Sequence, residues 1–430
     1  MGLARQLGHR TFSSLKIRNY RLYFTGQAIS LSGTWMQSIG QAWLVLQLTG
    51  SGTALGTVTA MQFLPILLFG PWGGVIADRY PKQKILYVTQ SAAGVLALAL
   101  GVLVATGRVQ LWMVYGLALG LGLVNTIDNP TRQTFVVEMV GQDALPNAVA
   151  LNSAEINLAR VVGPAIGGAI IAALGLASCF ILNGLSYAAV LVVLCMMRPS
   201  ELRPAPLVRR ARGQVLEGLR YVRSSRVLLT TLVMMTIIGM LAYEFSVSLP
   251  LLAEFTFGGN ASSYAALTAS MGLGSVIGGV FIASRRHVGP QMLAGAALLF
   301  GLVILGAAVA PNLPLAMAAL VLVGIFSINF TSLGNVTMQL TSPPAMRGRV
   351  MALWTVAVMG STQIGGPIIG WVGEHVGPRW ALGVGGVAAI VAAGLGAWML
   401  RELTRAPAEE ATTRPVGEPL ADREPAEHAA

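Results

Sequence analysis

Gly74-Val75-Ile76-Ala77-Asp78-Arg79-Tyr80-Pro81-Lys82-Gln83-Lys84 lies between two apolar runs, Ala54–Val75 and Ile85–Ala105. Each run has about 20 residues, the length a helix needs to cross the hydrocarbon core of a bilayer. A charged turn this short between two membrane-length runs reads as the tip of a helical hairpin in a membrane, with one acid, Asp78, set among Arg79, Lys82 and Lys84.

The rest of the chain agrees. Of its 430 residues, 54% are hydrophobic and only 10% charged, with a mean hydropathy of +0.69. A soluble domain carries roughly a quarter charged residues. Twelve apolar runs follow one another: 20–47, 54–76, 84–105, 110–131, 152–174, 177–197, 227–254, 262–283, 290–310, 313–339, 350–373 and 379–400. They do not alternate with period two and are too long for barrel strands, so the spacing predicts helices, here numbered as spans 1 to 12. Residues 1–19 are basic and poorly apolar, and the first run is too long for the core of a secretion signal.

A net charge of +11 invites a nucleic-acid reading, but the distribution points to a lipid bilayer. Basic residues precede span 1 (Arg5, Arg10, Lys16, Arg18, Arg21) and fill the connections after spans 2, 6, 8, 10 and 12, among them Arg198, Arg220, Arg285, Arg347 and Arg401. The connections after the odd-numbered spans hold only Arg108 and Arg379. This alternation follows the positive-inside rule and predicts a multi-pass protein of the cell (inner) membrane with both termini in the cytoplasm.

Cofactor chemistry finds no foothold. The two cysteines, Cys179 and Cys195, share span 6, about 24 Å apart along a helix, and cannot bridge one another. The histidines, His9, His287, His375 and His428, fall in loops and tails without metal-ligand spacing. No glycine-rich phosphate loop is present, and no cluster of nucleophile, base and orienting residue suggests an enzyme.

The chain repeats itself at an offset near two hundred residues. Gly163-Pro164-Ala165-Ile166-Gly167-Gly168 in span 5 has its counterpart in Gly366-Pro367-Ile368-Ile369-Gly370 of span 11, and the Gly74 turn in Gly279–Arg286 with the acid lost. The reading is therefore an all-α membrane protein of twelve transmembrane helices in two pseudo-symmetric six-helix bundles, 20–197 and 227–400, a recurrent transporter design. Residues 1–19 form a cytoplasmic N-terminal segment, and 198–226 a cytoplasmic linker. The linker becomes amphipathic at Val215, Leu219 and Val222 and suits either a surface-lying helix or a flexible connection. Residues 401–430, rich in Pro, Ala, Glu and Arg, have the composition of a disordered tail.

The Gly74 turn resembles the loop between helices 2 and 3 of the major facilitator superfamily: Gly74, Asp78, Arg79, Lys82 and Lys84 fit, Gln83 interrupts the basic pair, and Pro81 stands where glycine is usual. The resemblance implies that Asp78 caps helix 11 in an outward-open state and breaks away when the cytoplasmic side opens. From charge alone, Asp78 could meet Arg79, Arg132 or a helix N-terminus, and a cluster that only fixes orientation is the plainer alternative. The span 5 stretch Gly163, Pro164, Gly167 and Gly168 is similar to the superfamily's antiporter motif, associated with exporters, although Ala159 replaces an upstream glycine. Its alternative is an ordinary kinked helix. Asp128-Asn129-Pro130-Thr131-Arg132-Gln133, Leu145–Ala148, Leu158–Arg160 and Arg347–Met351 resemble the branch that holds the enterobactin exporter and macrolide efflux proteins.

Polar residues inside spans are the candidate site. An ionised group at mid-bilayer costs about 2.5–3.5 kcal/mol on insertion scales, so it tends to face protein or water. Glu244, near the middle of span 7, is the first candidate for proton coupling, with Asp128 and Glu155 as fallbacks; Arg132 and Arg160 join those two in a network that reads as a gate. Gln27, Ser30, Thr34, Gln37 and Gln41 lie three or four residues apart along one face of span 1. With Tyr243, Thr331 and Asn335, and with Trp35 and Trp43 nearby, they outline a neutral polar cavity for an amphipathic solute; interhelical hydrogen bonding is the alternative, at about 0.6–2 kcal/mol per contact. The expected function is export of a small amphipathic molecule, of the drug or siderophore class, by proton antiport and alternating access. Its partners would be that substrate, protons and the bilayer, with no nucleic acid and no cofactor. An importer of the same fold and a non-transporting membrane receptor or assembly factor are the competing readings.

Overall fold

The computed structural model describes residues 12–203, 214–283 and 290–412. Among them there is helix throughout and no strand. Span 1 is the helix Arg18–Thr49, span 2 Gly52–Arg79, span 3 Lys82–Ala105 and span 6 Leu176–Met196. Spans 8, 9, 10 and 12 are Ala261–Ala283, Pro290–Ala308, Leu313–Thr341 and Pro378–Thr412. Nine helices of the described residues are long and apolar enough to cross a membrane. One of these carries two of the twelve runs, span 1 is diluted by its polar stripe, and span 9 has a shorter apolar stretch, Met292–Ala308.

Spans 4 and 5 lie on one helical stretch, Leu111–Leu174, broken at Gly141 with φ 70° and ψ 179°. That backbone region is essentially reserved for glycine. Helix also covers 132–151, between the two apolar runs, on both sides of the break at Gly141. Phe135, Val136, Met139, Val140, Ala148 and Leu151 bury one side of it against Tyr20, Tyr23, Leu86 and Leu194. The turn is amphipathic, so packing rather than hydropathy carries it.

Span 7 is interrupted: Arg226–Leu241, then Phe245–Leu251, then a π-turn at Leu252–Thr256. Span 11 is likewise two pieces, Pro344–Met359 and Thr362–His375. The linker residues 214–224 form a short helix, and residues 204–213 lie outside the described set. The helix of span 12 runs past residue 400 to Thr412; the remainder of the expected disordered tail, 413–430, lies outside it too. So do the basic residues Arg5, Arg10, Arg285 and Arg286.

The internal repeat is visible in the packing. Gly122 of span 4 abuts Gln62 and Pro65 of span 2, and Gly324 of span 10 abuts Met271 and Ser275 of span 8. Gly101 of span 3 meets Ile181 of span 6, and Gly301 of span 9 meets Ile390 of span 12. Gly163 of span 5 meets Trp35 of span 1, and Gly239 of span 7 meets Ser361 of span 11. Each pairing recurs six spans later. Small residues let helix backbones approach closely where lipid supplies no hydrophobic drive.

The halves touch through the crossed pairs of spans 2 and 11 and spans 5 and 8. Gly56 lies on Gly366, Gly52 on Gly370, and Gly168 on Ser262 and Ala265. These contacts belong to the end remote from Arg18, where span 1 begins, and from the linker helix, called here the distal end. The Ser51 hydroxyl and Thr53 N–H donate to Glu374, and the Ser262 hydroxyl to the Gly168 carbonyl, across the same junction. At the opposite, terminal end the ion pairs Lys82–Glu138 and Arg349–Glu217 stay within a half or reach the linker helix.

Candidate functional site

Asp128 is the most heavily engaged acid inside the molecule. Span 3 supplies two donors to its Oδ1, the Thr89 hydroxyl at 2.6 Å and Gln90 Nε2 at 2.8 Å. Arg132, one helical turn along span 4, pairs with Oδ2 through Nε at 2.6 Å. Arg132 Nη1 in turn donates to Gln27 Oε1 of span 1 at 2.8 Å. Three helices are thus joined through one carboxylate that is only 2% exposed. Breaking such a pair is costly, since removing one partner leaves the other buried and unpaired.

Glu155 of span 5 is buried and interacts electrostatically with Arg132. Its Oε1 makes no hydrogen bond. Arg160 is not drawn into this group. Its guanidinium lies 5.1 Å from the centre of the Trp35 ring, and Tyr243 of the other half is within its electrostatic reach.

The span 1 stripe divides. Gln37 Oε1 accepts from Asn183 Nδ2 of span 6 at 2.6 Å, Gln27 is held by Arg132, and Ser30 and Gln41 are buried. Thr34 is exposed, its hydroxyl 3.5 Å from that of Tyr187. Across the molecule the Tyr243 hydroxyl sits 2.6 Å from Thr331 Oγ1 and donates to the Ser327 carbonyl at 2.9 Å, tying span 7 to span 10. Asn335 Oδ1 accepts from Gln339 Nε2 on the same helix.

Glu244 stands at the break in span 7, where φ −81° and ψ 40° leave the helix before Phe245 starts the next piece. It is 2% exposed. A Cβ placed on Gly365 would lie 2.9 Å from its Oε1, and one on Gly366 3.5 Å from its Oε2. The carboxyl therefore rests on the glycine pair of span 11, and Gly366 in turn rests on Gly56 of the opposite half.

In the turn after span 2, Gly74 is buried, Asp78 is half-buried, and Arg79 and Lys84 are exposed. Asp78 has no ion pair among the described residues. Lys82 folds inward to Glu138 at 2.7 Å, both side chains 9% exposed. Glu138 also accepts the Arg203 N–H through its backbone carbonyl. Gly163, Pro164, Gly167 and Gly168 are buried between span 1 on one side and span 8 on the other.

Three partners escape a reading of the sequence: Glu138, Asn183 and the Glu374–Ser51 contact. Asn183 is the most visible of them, an amide in an otherwise apolar run. Glu138 pairs over 56 residues and Glu374 over 323, spacings that no local pattern reports.

A family model described as a transmembrane secretion effector matches residues 9–425. The chain is 24% identical over 341 residues to the staphyloferrin A transporter of Staphylococcus aureus, covering 77% of this chain and 84% of that one. It is 24% identical over 390 residues to the enterobactin exporter EntS of Shigella flexneri, covering 90% and 92%. Its fold is similar to that of a bacterial homologue of the human lysosomal transporter Spinster in an inward-facing, unoccupied conformation, with TM-score 0.73, 13% identity and coverage of 90% and 97%. A bacterial homologue of the iron transporter ferroportin in an inward-facing state gives TM-score 0.68 at 13% identity, covering 89% and 98%.

Proposed function

The chain belongs to the transmembrane secretion effector family of major facilitator transporters, and from that membership we propose that it exports a small amphipathic molecule, of the drug or siderophore class, by proton antiport. The observation that carries this reading is the one-sided junction between the halves. Spans 2 and 11 and spans 5 and 8 are hydrogen-bonded at the distal end, while the Asp78 turn at the other end has no ion pair among the described residues. Such an arrangement suits one of two alternating states, with residues 20–197 rocking against 227–400 about a midplane site. The terminal end takes the cytoplasmic side on the positive-inside argument.

Direction is supported by the kin: one relative is an enterobactin exporter. Proton coupling is supported by the buried carboxyls of Glu244 and Glu155 at positions where helices meet. Glu244 is the carrier in this account. Asp128 is bound to Arg132 and to two span 3 donors, which suits it to hold spans 1, 3 and 4 together.

The test is substrate-induced proton movement in proteoliposomes of the full chain, with 2,3-dihydroxybenzoate and a macrolide as probes. Proton movement counter to the probe supports antiport. Movement in the same direction makes the chain a symporter, and none with any probe favours a receptor or assembly factor.

A further inference from the structure

Arg160 occupies the middle of span 5, and its surroundings do not neutralise it. No carboxylate pairs with it among the described residues, and its buried Nε makes no hydrogen bond. Glu155, the nearest acid on the same helix, is five residues away. At 3.6 residues per turn it points about 140° around the helix, and it interacts with Arg132 instead. The Arg160 guanidinium instead faces the Trp35 ring, 5.1 Å from its centre.

An arginine inside a membrane span is costly unless it meets a partner or water. A cation over an aromatic face recovers only part of that cost. Two other cations inside the first half are paired with carboxylates, Arg132 with Asp128 and Lys82 with Glu138. Arg160 has no such partner among the described residues, and its planar fork of donors matches a pair of anionic oxygens. The position is also right for a transported ligand. Trp35 comes from span 1 and Arg160 from span 5 of one half, and Tyr243 from span 7 of the other.

We infer that Arg160, with the Trp35 ring beneath it, is an anion subsite of the substrate pathway. The ligand class is an organic anion that presents a carboxylate beside an aromatic or apolar body. The oxygens pair with the guanidinium, and the body lies against Trp35 and Tyr243. This assignment rests on the transport reading above and narrows its substrate from amphipathic to anionic.

The test compares an acid with its neutral isostere on the purified full-length protein. Calorimetric titration with 2,3-dihydroxybenzoate, 2,3-dihydroxybenzamide and citrate should show the acid binding at least about tenfold more tightly than the amide. Arg160→Gln should abolish that preference, Arg160→Lys should keep part of it, and Trp35→Phe should weaken acid and amide alike. Retention of the lysine variant's preference shows that the site is folded when the glutamine variant loses it. An acid that binds no better than the amide, a preference that survives Arg160→Gln, or no binding of either acid overturns the subsite. Vesicle transport of the neutral amide separates the two levels: its transport without acid preference sinks the subsite and leaves export standing.

Discussion

The Glu374 carboxylate, at the end of span 11, accepts a 2.6 Å hydrogen bond from the Ser51 hydroxyl, the N-cap of span 2 in the opposite half. Its same oxygen accepts the Thr53 N–H at 3.0 Å. A negative group is thereby set on the N-terminal turn of a helix, where the backbone N–H groups and the macrodipole favour it. Asp78 stands at the other end of that same span 2. The superfamily resemblance gives Asp78 the matching task, capping span 11 when the molecule is open the other way. Each helix of the pair would then carry the acid that closes the other, one at each face of the membrane.

Glu374→Gln should loosen the distal closure. The amide still accepts a hydrogen bond but loses the charge, and a charge at a helix N-terminus contributes about 0.3–1 kcal/mol. The population open at the distal end should rise about two- to fivefold, read as a longer distance between spin labels on Gly107 and Val309. An unchanged distance distribution would show that the glycine contacts alone hold this end.

Asp78→Asn should slow transport strongly and leave abundance in the membrane near normal. The acid is half-buried at the turn and makes no ion pair among the described residues in this state, so its removal does not disturb the conformation seen here. A well-expressed variant that transports at the wild-type rate rules out the gating role.

Gly163→Leu and Gly167→Leu should both lower transport, with Gly163 the more severe. A Cβ on Gly163 would stand 2.5 Å from that of Trp35 and 2.8 Å from the Ser32 carbonyl oxygen, whereas one on Gly167 meets Met36 no closer than 3.2 Å. Overpacking of this kind costs typically about 1–3 kcal/mol. Thermal unfolding in detergent should show the same order. Normal export by both variants would remove span 5 from the argument about direction.

How much of this was legible in the sequence follows from the range of the interactions. The twelve apolar runs are local patterns, and each falls on helix, with a break in spans 7 and 11. The polar stripe of span 1 was legible as a face, since spacing alone sets it. What each amide on that face would bind was not: Gln37 meets Asn183, 146 residues on, and Gln27 meets Arg132. Lys82 reads as one of a row of bases, yet it turns inward to Glu138 because the helix continues past the apolar run of span 4 and brings that acid back to the turn. The break in span 7 at Glu244 carries neither proline nor glycine at the break itself, so no local residue announces it.

Glu244→Gln should uncouple export from protons while substrate binding survives. Glutamine keeps the shape that rests on Gly365 and Gly366 and cannot titrate. Probe binding measured by calorimetry should stay within about twofold of wild type, and probe-induced pH change in proteoliposomes should vanish. An unchanged proton flux would make Glu244 structural and move coupling to Glu155.

Inside-out membrane vesicles test proton-driven export most directly. With the lumen made acidic, vesicles containing the full chain should accumulate 2,3-dihydroxybenzoate against its gradient, and a protonophore should collapse the accumulation. Vesicles that fill equally with and without the pH gradient, or that lose the probe when the lumen is acidic, would contradict the account.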